Sequence, residues 1–71
     1  MKKLTPRQND VLSFITAYTD KTGLSPTQRE IAEALGVTAS WVGQLLFELR
    51  RKGYIRITPQ RTRNIQLVRE K

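Results

Sequence analysis

The spacing of apolar residues in this chain changes once, at Tyr54, from the period of a helix to the period of a strand. Before the change, Val11, Leu12, Ile15 and Tyr18 recur at steps that fall on one helical face. Ile31, Ala32 and Leu35 do the same, and so do Val42, Leu45, Leu46 and Leu49. After it, Ile55 and Ile57 alternate with Tyr54 and Arg56, and Ile65 and Leu67 alternate with Gln66 and Val68. A stripe must be buried along a helix and a face along a strand, so the pattern predicts three amphipathic helices followed by two short antiparallel strands. With 71 residues and a hydrophobic fraction of 38%, the helices and hairpin must share one core. The expected fold class is therefore mainly α with a small β-hairpin, as a single domain over residues 1–71.

Local signals set the ends of these elements. Thr5-Pro6-Arg7-Gln8 and Thr27-Gln28-Arg29-Glu30 both read as capping boxes, with a Thr hydroxyl to accept orphan N–H groups and a Gln or Glu to reach back. Thr38 suits the cap of a third helix. Gly23, Gly36 and Gly53 mark the three ends, and Pro26 pushes Ser25 out of the helical region. The expected helices cover about 6–22, 28–35 and 39–52, with the hairpin at about 54–69. Pro59 to Asn64 form its turn. The second and third helices, joined by a short glycine-containing connection, have the sequence form of a helix-turn-helix.

Charge then separates the chain into two parts. Residues 1–49 hold five basic and five acidic side chains, whereas residues 50–71 hold eight basic side chains against Glu70 alone. A polyanion is the natural partner of such a segment, because cations that neutralise phosphates release condensed counterions. The absence of Cys and His excludes disulfides, thiolate nucleophiles, imidazole bases and the usual zinc sites. No nucleophile–base pair or phosphate-binding loop stands out, so neither an enzyme nor a cofactor is expected. No apolar run reaches the length of a bilayer span, which predicts no membrane partner and a cytoplasmic location.

Several stretches together resemble the N-terminal DNA-binding domain of the LexA repressors of the SOS response. They are Leu4-Thr5-Pro6-Arg7-Gln8, Thr22-Gly23-Leu24-Ser25-Pro26-Thr27, Glu30-Ile31-Ala32-Glu33-Ala34-Leu35-Gly36, Leu49-Arg50-Arg51-Lys52-Gly53-Tyr54-Ile55 and Arg63-Asn64-Ile65-Gln66-Leu67. The resemblance implies a three-helix winged helix-turn-helix acting as a small bacterial or phage transcription regulator associated with the nucleoid. It further implies a recognition helix in the major groove and the hairpin as a basic wing. Full-length LexA proteins continue into a C-terminal domain that dimerises and carries a serine–lysine self-cleavage dyad, and the resemblance does not extend to it. Ser40-Trp41-Val42-Gly43-Gln44 differs from the family's usual base-reading side chains.

Placed on a helix-turn-helix, the early third helix supplies the base-reading candidates Ser40, Trp41 and Gln44. Trp41 has a second reading, as a plug between helices two and three. Phosphate-backbone candidates are Thr27 and Gln28, Thr38 and Ala39, and Arg51 and Lys52. The two Thr residues also serve as caps, and the two cations suit the helix dipole. Arg61, Thr62 and Arg63 form the expected tip of the wing, where two guanidinium groups gain little within the protein and would suit a minor groove or a phosphate pair. Glu30 is assigned to its capping box and Glu33 to solvent or a pair with Arg29. Phe47 projects from the outward half of helix three. It is expected to pack under the wing, against helix one or, if exposed, on a protein partner. The expected partners are thus double-stranded DNA, a second copy on a palindromic operator, and through Phe47 another protein. A winged-helix adaptor for a host or phage regulator and a shape-specific RNA binder are the competing readings.

Overall fold

The computed structural model of the chain describes residues 3–59 and 63–68. Three helices, α1 (Pro6–Thr22), α2 (Gln28–Leu35) and α3 (Ala39–Arg51), precede two strands, β1 (Ile55–Ile57) and β2 (Ile65–Leu67). This is the three-helix winged architecture expected, mostly helical with one small antiparallel hairpin. Among the described residues, no helix is long and apolar enough to cross a membrane.

All three helices begin on a threonine hydroxyl. Thr5 accepts from the Gln8 amide and Thr27 from the Glu30 amide, and in both cases the Gln or Glu side chain accepts from the cap's own N–H. Thr38 accepts from the Trp41 amide. Each such cap typically contributes about 1 kcal/mol to its helix. The turn between α2 and α3 is set by Gly36, whose φ of 70° is left-handed and whose N–H, like that of Val37, donates to the Ala32 carbonyl. That closure lets α3 restart at once in a new direction. At the far end α3 stops at Arg51, with Lys52 as its C-cap.

Every element contributes to one core. Val11 and Ile15 of α1, Ile31 and Ala32 of α2, Val42, Leu46 and Leu49 of α3, Ile55 of β1 and Ile65 of β2 are buried together. Burying a Val, Leu or Ile side chain of this kind contributes roughly 1.5–3 kcal/mol. Pro26, in the α1–α2 connection, is also fully buried, although the sequence marked it only as a backbone constraint. In the hairpin Ile55 faces Leu67, Arg56 faces Gln66 and Ile57 faces Ile65. The alternation turns Ile55 and Ile65 inward and leaves Arg56 and Gln66 exposed on the outer side. Thr58 donates to the Asn64 carbonyl at 2.9 Å, which carries the ladder one residue beyond the strands.

Candidate nucleic-acid interface

The inward face of α3 is fixed by Val42, Leu46 and Leu49, and geometry then dictates what faces outward. At about 100° per residue, Ser40, Gln44, Phe47 and Arg51 fall within an arc of about 60° on the side opposite that core face. All four are exposed. The sequence therefore delivers one continuous outward row along the helix: a hydroxyl, an amide, an aromatic ring and a guanidinium.

Trp41 lies beside the row, half-buried against the core, and the Arg7 guanidinium of α1 stands 5.5 Å from its ring centroid. The ring thus serves as a joint between α1 and α3, whereas the sequence pointed to the gap between α2 and α3 or to DNA. Thr27 and Thr38 are occupied by their capping bonds. Ala39, the first residue of α3, is exposed, and its carbonyl accepts from the Gln28 side chain at 2.6 Å. Gln28 therefore clamps the start of α2 to the start of α3. Gly43 makes room for this clamp, since a Cβ there would lie 2.8 Å from the Gln28 amide nitrogen.

The two cations at the end of α3 have different surroundings. Arg51 is exposed, lies 3.6 Å from Glu48, and stands 5.9 Å from the Phe47 ring centroid. An exposed pair of this kind is worth little and is easily exchanged for a phosphate. Lys52 instead folds back on the N-terminal segment, donating to the Lys3 carbonyl at 2.8 Å and to the Gln8 side chain. Gln8, a polar residue buried to 7% exposure, is satisfied by this lysine and by the Thr5 amide. The ammonium assigned to a DNA phosphate from sequence is thus engaged by the protein's own N-terminal segment, where it adds a second donor to a buried amide oxygen.

Phe47 departs from expectation as well. Its default reading, packing under the wing or against α1, is not what the structure shows: 49% of the residue is exposed, and the guanidinium groups of Arg50 and Arg51 stand 5.5 and 5.9 Å from its ring centroid. Beside it runs an open groove between α3 and the start of the wing, lined by Gly43, Phe47, Arg50, Ile57 and Pro59.

Arg63 requires the clearest correction. The sequence predicts a tip cation with little to gain within the protein, yet it forms a bidentate pair with Glu30, at 2.9 and 3.0 Å to the two carboxylate oxygens. The same guanidinium donates to the Ser25 carbonyl at 2.9 Å and to the Tyr18 hydroxyl at 3.2 Å. The Ser25 hydroxyl in turn accepts from the Ile65 amide of β2. These bonds latch the base of the wing to α1, to the α1–α2 connection and to the N-terminus of α2. The hydrogen bond from Arg63, followed by the one from the Thr27 amide, lowers the Glu30 pKa from 4.5 to about 2, while the Glu30 partner raises that of Arg63. Glu30 caps its helix as expected but also anchors the wing. Glu33 does pair with Arg29, at 3.8 Å with both side chains exposed. Arg61 and Thr62, the other wing candidates, lie outside the described residues.

Comparison with known proteins agrees with this fold. The chain matches the LexA DNA binding domain over residues 1–64. It is 46% identical over 69 residues to the LexA repressor of Geobacter metallireducens, covering 96% of this chain and 34% of that protein. To the LexA repressor of Leptospira interrogans it is 40% identical over 70 residues, covering 99% and 34%. It therefore spans about a third of the length of these relatives. Among solved structures it is similar to MepR, a transcription regulator of the Staphylococcus aureus multidrug efflux pump MepA. That match has a TM-score of 0.74 and 34% identity, over 93% of this chain and 48% of the other. The chain belongs to the LexA DNA-binding domain family.

Proposed function

We propose that this chain binds double-stranded DNA in a sequence-specific manner and acts as a LexA-like transcriptional repressor. In this reading the outward row of α3 enters the major groove. Ser40 and Gln44 read base edges, with Gln44 suited to the N6 and N7 atoms of adenine, and Trp41 lines the edge of the contact. Arg51 meets a phosphate, and the free N–H groups at the start of α3, beside Thr38 and Ala39, meet another. Thr27 and Gln28 sit where the preceding helix would cross the backbone, with Gln28 setting the angle between the two helices. The wing lies against the neighbouring backbone or minor groove, with Arg61 and Thr62 as the residues proposed to contact it and Arg63 securing its base. Regulation is steric, through exclusion of polymerase from the bound site.

The observation that carries this reading is the exposed row itself: a hydroxyl, an amide, an aromatic ring and a guanidinium aligned along α3, with the apolar stripe directed into the core. A module of this size buries roughly 600–1,000 Å² on DNA, which is modest for specificity. A palindromic operator bound by two copies would supply the remainder.

The test is a gel-shift titration of the 71-residue chain on duplexes recovered from a random pool, repeated across salt concentrations. The proposal expects an enriched sequence and a steep loss of affinity with rising salt. Failure to enrich any sequence, or binding indifferent to salt, contradicts it.

A further inference from the structure

The proposed DNA contact contains a side chain to which it assigns no work. Phe47 lies in the outward row between Gln44 and Arg51, so a duplex engaged by both residues passes over its ring. Burial does not account for the ring's position, since about half of the residue is exposed. Its neighbours are two guanidinium groups and the open groove formed with Gly43, Arg50, Ile57 and Pro59. An apolar ring rimmed by cations suits a polyanion that carries an apolar group at its centre. In the major groove that group is the C5-methyl of thymine, the apolar feature of the base edges presented there.

We propose that Phe47 is a specificity-determining residue, whose ring packs on a thymine methyl group in the major groove while Arg50 and Arg51 meet the flanking phosphates. The inference rests on the DNA-binding reading above and gives it a partner for the aromatic ring. Three residues of α3 rise about 4.5 Å and successive bases along a strand are about 3.4 Å apart, so this thymine lies within about two base pairs of the one read by Gln44. The two flanking arginines favour DNA over an apolar protein surface as the occupant.

The experiment begins with duplexes selected from a random pool by the unaltered 71-residue chain. Each thymine of the recovered sequence is then replaced in turn by deoxyuridine, which removes the methyl group and leaves the base pair intact. Affinities are measured for the parent chain and for the variants Phe47→Ala and Phe47→Leu. The inference expects the parent to lose about fourfold at one or two deoxyuridine positions, the worth of one buried methyl group. Phe47→Ala should be indifferent at those same positions, and Phe47→Leu should keep part of the sensitivity. Because the ring is exposed, thermal unfolding should show the variants folded like the parent. Methyl sensitivity that persists in Phe47→Ala overturns the inference. So does a parent chain that selects a sequence but is indifferent to every methyl group, or a Phe47→Ala chain that binds every duplex as the parent does, which would leave the ring to a protein partner. If the parent enriches no duplex at all, the DNA-binding reading falls and this inference with it.

Discussion

The outward row of α3 and the base of the wing each present an arginine near an exposed surface, yet the two arginines are bound very differently. Arg51 meets a carboxylate 3.6 Å away and an aromatic ring, both within its own helix. Arg63 meets Glu30, Tyr18 and Ser25, groups that lie 33 to 45 residues away in the chain. One guanidinium is held by local, solvent-screened contacts and remains available to a ligand. The other closes the fold. A basic segment thus divides its cations between exposed ones and ones that close the fold, and net charge alone does not show which is which.

The largest effect that sharpens this contrast belongs to the outward row. Gln44→Ala should lose about 1–3 kcal/mol of discrimination at one or two base pairs, as measured by competition between the selected duplex and its single-base variants. Its thermal midpoint should stay near that of the parent. Equal loss on every sequence would remove Gln44 from base reading.

Next comes the exchange of the two arginines. Arg51→Ala should weaken binding several-fold on all sequences and flatten the salt slope by about 0.9, the signature of one lost phosphate contact. Arg63→Ala should instead lower thermal stability, because it removes the two bonds that the Glu30 carboxylate accepts from the wing and the one that the Ser25 carbonyl accepts. If the two variants behave alike in both assays, the distinction between a free and a latched arginine fails.

The latch also predicts a pH dependence. Glu30 is more acidic in the folded state than its usual 4.5, at about 2. Its contribution to stability is therefore complete above about pH 4.5 and is lost as pH falls through about 2. Chemical denaturation across that window should show part of the loss of stability disappearing in Glu30→Gln, which cannot titrate. An unchanged profile would mean that the pair does not stabilise the wing.

The smallest effect concerns the clamp between α2 and α3. Gly43→Ala gains helix propensity of about 1 kcal/mol and displaces the flexible end of Gln28, whose exposed hydrogen bond is worth about as much. Net stability should stay within about 0.5 kcal/mol of the parent in a denaturant titration. A large loss would show that Gln28 fixes the interhelical angle more firmly than one bond suggests.

What could be read in advance follows from how local each signal is. The three threonine caps, the glycine ends and the change of period at Tyr54 act within a few residues, and each appears where the pattern put it. The outward position of Gln44 follows from Val42 and Leu49 by helical geometry alone. Arg63 could not be placed this way, because its partners come together only once the wing has folded against α1 and α2. Nor could the bonds of Lys52 be placed this way, because they depend on the N-terminal segment and α1 packing beside the end of α3. The exposure of Phe47 follows from the same helical geometry as that of Gln44, which outweighs the general tendency of a phenyl ring to be packed. Glu30 offered a usable hint, since a carboxylate at the start of a helix, beside a connection leading toward a basic hairpin, is a candidate partner for a cation as well as a cap.

The central claim, that the outward row of α3 is the surface applied to DNA, is tested most directly by mapping amide chemical shifts of the 71-residue chain during titration with its selected duplex. The account predicts that the largest changes fall on Ser40, Gln44, Phe47 and Arg51, with little change on the exposed face of α1 at Asn9, Ser13 and Ala17. Changes concentrated on that face of α1, with the α3 row unmoved at saturation, would contradict it.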